Sequence, residues 1–142
     1  MKKIAVVYWS GTGNTELMAD EIANAARDGG AAVDIFTPDK FTADMVSDYD
    51  RIAFGCPSMG DEVLEESEFD PMFTAVEKKL SGKEIALFGS FGWGGGVWMK
   101  DWAERCLSAG ADVINGEGLI SNGPPDESGI EKCRELGKTL AS

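Results

Sequence analysis

Six consecutive residues, Ser10, Gly11, Thr12, Gly13, Asn14 and Thr15, combine two glycines with three hydroxyl side chains and an amide. Glycine lets the backbone turn tightly and aim N–H groups inward, and hydroxyls add further donors, so the segment suits an anion such as phosphate. No Lys follows a glycine here, as a nucleotide P-loop requires, and Glu16 stands where a GxGxxG motif needs its third glycine. ATP and dinucleotides are thereby disfavoured. A capped helix after a turn would use the same Ser and Thr, so the chemistry depends on where the segment sits.

Two later segments have a related character: Pro57, Ser58, Met59, Gly60, Asp61 and Glu62, then Ser90, Phe91, Gly92, Trp93 and Gly94, followed by Gly95 and Gly96. Both offer bare backbone beside a large side chain. That suits a flat heteroaromatic ring, with Trp93 stacked on one face, Met59 on the other, and peptide N–H groups meeting the ring's polar atoms. A Trp between glycines has few local neighbours and is poorly explained as core. Trp98 and Trp102, four apart on a predicted helix, read instead as core. Trp9 fits either a ligand contact or a cover for the sheet edge.

The elements that must position these segments follow from the alternation of apolar runs with amphipathic stretches, the pattern of strand–helix units around a parallel sheet. Strands are predicted at 3–9, 32–36, 51–55, 84–89 and 112–121, and helices at 14–28, 70–80, 97–109 and 127–140, with Gly29, Gly82 and Gly110 as stops. The link at 41–48 has no clear pattern. The three segments then follow strands one, three and four, and in an open parallel sheet such loops share a site at the strands' carboxyl ends. A planar ligand carrying one phosphate is implied. No repeat or linker divides the chain, and residues 1–142 are expected to form one domain.

The 25 Asp and Glu against 13 Lys and Arg give a net charge of −12, which disfavours a nucleic-acid partner. There is no His, so hydrolase triads and zinc enzymes lose their usual residue. Cys56, Cys106 and Cys133 form no CxxC pair and suggest neither disulfides nor a metal. No apolar run approaches the roughly 20 residues of a membrane span, and the start MKKIAVVYWSGTGNT turns polar too early for a signal peptide, so a cytoplasmic protein is expected. Residues 61–70 carry six carboxylates and no basic residue. They read either as a solvated loop entering a helix N-terminus or as a functional field.

VYWSGTGNT at 7–15, MGDEVLEESEF at 59–69, ALFGSFGWGGG at 86–96 and Asn122 together resemble the flavodoxins, in particular the short-chain clostridial type, over nearly the full chain. The resemblance implies a five-stranded parallel sheet of order 2-1-3-4-5 with helices on both faces, and a non-covalently bound FMN. It implies a low-potential one-electron carrier, not an enzyme, cycling mainly between semiquinone and hydroquinone. Ser10, Thr12, Asn14, Thr15 and the backbone at Gly11 and Gly13 would hold the phosphate, with Asn122 near the ribityl chain. Met59 and Trp93 would flank the isoalloxazine, and Glu62 would accept from its N3–H. Backbone at Asp61, Gly92 and Gly94 would reach the ring's polar edge. The Gly60–Asp61 peptide would turn over on one-electron reduction. Pro57, Phe91 and Gly95 depart from the family's usual residues, and Pro57 offers no N–H or hydroxyl.

Redox partner proteins are expected to dock through the acidic surface near Asp61, Glu62, Glu65 and Glu66, with the chain a monomer. Two rivals fit less well. An FMN-dependent reductase would need an open ring face and a hydride source. A phosphoacceptor receiver domain would need acids where Trp9 and Ser10 stand.

Overall fold

A computed structural model describes residues Met1–Ser142. Strand β1 (Lys3–Tyr8) leads through a glycine-rich loop into α1 (Asn14–Asp28), and β2 (Ala32–Phe36) follows. Then come β3 (Arg51–Gly55), α2 (Phe69–Val76), β4 (Glu84–Phe91), α3 (Val97–Ser108), β5 (Asp112–Val113), β6 (Leu119–Asn122) and α4 (Glu127–Ala141). The strands form one parallel sheet of order β2-β1-β3-β4-β5, with β6 also on β4. The predicted order is therefore observed, with one more strand than expected.

Ile4, Ala5, Val6 and Val7 are all fully buried, as a central parallel strand covered on both faces requires. Their side chains alternate between two cores. Ala5 and Val7 join Ile52, Phe54, Ile85 and Leu87 against Phe69 and Phe73 of α2 and Trp98 and Trp102 of α3. Ile4 and Val6 join Ala53, Ala86 and Phe88 against Met18 and Ile22 of α1 and Leu136 and Leu140 of α4. The second layer is tight because α1 and α4 cross at Gly137, where a Cβ would stand 2.4 Å from the Ile22 carbonyl oxygen.

Some boundaries differ from the sequence reading. The single strand expected at 112–121 is two strands, because the chain loops out through Gly116 (φ 64°) and Gly118 (φ 91°). The side chain of Asn115 spans the break. Its Oδ1 accepts from the Leu87 N–H (3.2 Å) and its Nδ2 donates to the Leu87 carbonyl (2.8 Å), replacing a ladder partner with an amide of the same polarity. The helix expected over 70–80 tightens into a 3-10 turn at Glu77–Lys79 before Gly82 reverses the chain. The link at 41–48 holds a 3-10 turn at Ala43–Asp48 that sets Val46 and Phe41 into the core. Strand β4 runs on past 89 to Phe91, carrying Ser90 and Phe91 into the sheet as partners of β6.

Candidate functional site

The loop after β1 is shaped by Ser10. Its Oγ accepts from the Gly13 N–H (3.1 Å) and the Glu16 N–H (3.2 Å), bending the chain into α1 through Gly13 at φ 96°. The N–H groups of Gly11, Thr12, Asn14 and Thr15 make no hydrogen bond within the protein. Unpaired N–H groups and the positive end of a helix dipole form an anion site that needs no basic residue. Next to it, the Tyr8 hydroxyl donates to Glu16 (2.9 Å). Partial burial and that carboxylate push the Tyr8 pKa up to about 12.

Thr15 does not face outward. It is buried and its hydroxyl pairs with the Ser90 hydroxyl (3.0 Å) and accepts from the Ser90 N–H (3.3 Å). The Ser90 carbonyl accepts from the Ser58 N–H (3.0 Å), and the Phe91 carbonyl from the Gly123 N–H (2.8 Å). The start of α1 and the loops after β3 and β6 are thus tied to the end of β4. They enclose a cleft of about 220 Å³ whose walls come from Gly11, Thr12 and Asn14, from Pro57, Ser58 and Met59, and from Ser90, Phe91 and Gly92. Trp9 lines it too, while also packing on the larger core. Gly123 is a lining residue that the sequence reading did not single out. Its signal was the Asn-Gly-Pro run closing the last strand.

Beyond the cleft wall, the Met59 and Val63 backbones exchange two hydrogen bonds (2.8 and 3.0 Å), closing a turn through Gly60, Asp61 and Glu62. Gly60 (φ 47°) and Glu62 (φ 58°) both take the left-handed conformation, which costs a non-glycine residue roughly 1–2 kcal/mol. Glu62 is held there by its side chain, whose Oε1 accepts from the Val97 N–H (3.2 Å) at the start of α3. Gly94 leaves room for it, since a Cβ there would stand 2.4 Å from Glu62 Oε1. Trp93 is 62% exposed and does not line the cleft, unlike Met59. Asp61 and Asn122 are exposed outside the lining, Asn122 opposite Phe91 at the end of β6.

The acidic segment is less of a surface than its sequence suggests. Glu65 is 6% exposed and caps α2 from inside, and this corrects its expected place on a docking face. Asp70 pairs with Arg105 (2.7 Å), which also holds Glu77 (2.8 Å) and lies over the Phe73 ring. Asp61, Glu66 and Glu68 remain exposed. Trp98 and Trp102 are buried as expected, and the Trp98 indole donates to the Cys56 carbonyl (3.1 Å).

These features fit FMN: unpaired N–H donors at a helix start for its phosphate, and a narrow cleft between Met59 and the glycine-rich end of β4 for its ring system. The family model described as Flavodoxin matches residues 6–137. The chain is 46% identical over 138 residues to the flavodoxin of Megasphaera elsdenii, covering 97% of this chain and 98% of that one. It is 44% identical over 137 residues to the flavodoxin of Clostridium beijerinckii, covering 96% and 98%. The solution structure of two-electron reduced Megasphaera elsdenii flavodoxin superposes with a TM-score of 0.88 over 97% of this chain and 98% of that one, at 46% identity. Those findings, together with the sheet order and the cleft, establish that the chain belongs to the flavodoxin family and is an FMN-binding electron-transfer protein rather than an enzyme.

Proposed function

We propose that residues 1–142 work as one FMN-binding domain in which the loop at Ser10–Thr15 holds the phosphate, and the loops at Pro57–Glu62 and Ser90–Gly94 hold the ring. The observation that carries this assignment is the convergence of three loops on one cleft beside four unpaired N–H groups. Bound there, FMN supplies one-electron chemistry at its ring. Within the phosphate loop, Thr12 and Asn14 face the cleft, whereas Ser10 and Thr15 set the loop's shape from behind. The left-handed Gly60 gives the chain a residue whose peptide can turn at low cost. Asn122, which ends β6 opposite Phe91, would approach the ribityl chain.

The remaining carboxylates oppose added negative charge in the cleft. One of them about 10 Å away costs roughly 1.7 kcal/mol at an effective dielectric of 20, before salt screening. With FMN bound, these charges would make a second added electron less favourable. The same charges at Asp61, Glu62 and Glu66 favour docking by a basic face of a redox partner, with the carrier a monomer. Three free thiols are in keeping with a reducing cytoplasm.

The test is the visible spectrum of the purified yellow protein during stepwise anaerobic reduction. Two separate one-electron phases are expected. Direct bleaching in a single two-electron phase would overturn the carrier assignment. For docking, association rates with a basic partner should fall steeply with added salt, and a flat dependence would remove the acidic face from the account.

A further inference from the structure

The turn at Met59–Val63 has two feet, and they are anchored differently. The leading foot is held by the Ser58 N–H on the Ser90 carbonyl (3.0 Å). The returning foot is held by Glu65. Its N–H donates to Cys56 Sγ (3.4 Å) at the end of β3, and its carbonyl accepts from the Asp70 N–H (2.9 Å). Its carboxylate is enclosed by four donors: the Ser67 N–H (2.9 Å) and hydroxyl, the Glu68 N–H (2.7 Å) and the Phe69 N–H (2.8 Å). Burial alone pushes such a carboxyl up, but these hydrogen bonds outweigh burial and hold it below the usual range, so it is ionised at neutral pH. One residue therefore satisfies the N–H groups that lead into α2 and the first two within it, by its carboxylate at Ser67–Phe69 and its carbonyl at Asp70, and is itself fixed where the turn ends.

We infer that Glu65 is a positioning residue for the flavin: clamped between β3 and α2, it sets where the Gly60–Asp61 peptide and Glu62 lie, and so sets the separation of the two one-electron potentials without touching the cofactor. The inference rests on the proposed placement of FMN beside the 57–62 loop. Leu64 is buried against the core and Val63 is bonded to Met59, so the only slack between the clamp and Glu62 is the turn itself. A shift at Glu65 is passed to Glu62, whose left-handed backbone and contact to Val97 have little freedom. A through-space effect of the Glu65 charge makes a different prediction, because it depends on ionisation and not on reach.

The test compares Glu65→Asp, which keeps the charge but draws the carboxylate back by one methylene, with Glu65→Gln, which keeps the length but turns one acceptor into a donor. Ser67→Ala, which removes one of the four donors and leaves Glu65 intact, is a milder third variant. Two quantities are read: amide exchange at residues 67–69 in the apoprotein, and the two one-electron potentials of the FMN-loaded protein. Positioning predicts faster exchange in all three. It also predicts at least a tenfold loss in the formation constant of the one-electron-reduced form in Glu65→Asp, a narrowing of about 59 mV, with a smaller loss in Ser67→Ala. If Glu65→Asp and Ser67→Ala exchange faster yet keep that constant within twofold, the inference falls, and a change confined to Glu65→Gln assigns the effect to charge alone. Wild-type protein that takes up no FMN overturns the reading of the cleft, and this inference with it. Normal loading with unmoved potentials overturns only this inference.

Discussion

Replacing Gly60 with Ala isolates one backbone angle. Gly60 sits at φ 47°, and a Cβ built there meets nothing within 4 Å, so the substitution adds no clash and removes no contact. Its cost is the left-handed conformation alone, about 1–2 kcal/mol for an L-residue. Denaturant melts of the apoprotein should lose that amount. If the turn has to hold this angle in one redox state and leave it in another, the same cost falls on one state only, and one potential should move by roughly 40–85 mV at about 59 mV per 1.4 kcal/mol. Gly60→Asn, which tolerates the left-handed region better, should move it less. Spectroelectrochemical titration of the loaded proteins reads both steps. An Ala variant that is destabilised as expected but has two unchanged potentials would refute the link between the turn and the redox chemistry, while leaving the conformational cost intact.

Thr15→Val keeps the shape of the side chain but leaves the buried Ser90 N–H and hydroxyl without their partner, which should cost about 1–3 kcal/mol in urea melts. The thiols of Cys56, Cys106 and Cys133 are all pushed up to about 12, first by burial, so none should react with a thiol reagent at pH 8 until the protein unfolds, when all three should. Glu65 is held below its ordinary pKa, so the native state binds fewer protons there than the unfolded chain. The stability it supplies is complete above the ordinary Glu value of about 4.3 and is lost as pH falls through the folded value, so the gap between wild type and Glu65→Gln should close in melts taken at progressively lower pH. Tyr8 and Tyr49 are both raised to about 12, each first by burial and then by a carboxylate partner. The native state holds those protons longer, so stability should decline as pH rises from about 10 toward 12, with ultraviolet titration of the native protein showing the late phenolate.

The parallel strand–helix alternation and the three converging loops are legible because they depend on periodicity and glycine placement, which are local properties, whereas the strand order follows only from the resemblance to the flavodoxins. Ile4–Val7 reads as a buried parallel strand from its residues alone, and Trp98 and Trp102 read as core from their spacing. Glu65 was not legible as a cap. In a run of six carboxylates every member looks solvated, and what separates Glu65 is its distance from backbone donors that exist only after α2 has formed. The hints lie on either side, in buried Leu64 and Phe69. The break in the last strand was similarly hidden, although Asn115, Gly116 and Gly118 mark a turn, because an apolar residue follows at the expected strand spacing. Thr15 reads as one more hydroxyl donor of the loop, yet its place on the helix turns that hydroxyl inward to Ser90 and leaves only its N–H facing the anion site.

The outer edge of the sheet carries a consequence of its own. Strand β4 is eight residues long and serves as a rail for two short strands, β5 at its start and β6 at its end, while Asn115 holds the rail between them. Gly116 and Glu117 lie in solvent on the loop that connects the two. Chain added between them would leave both docked halves and the amide clasp in place, so this is where the fold can grow without re-registering a strand. It is also the natural seam for splicing in a peptide tag or a second module, on the sheet's free flank.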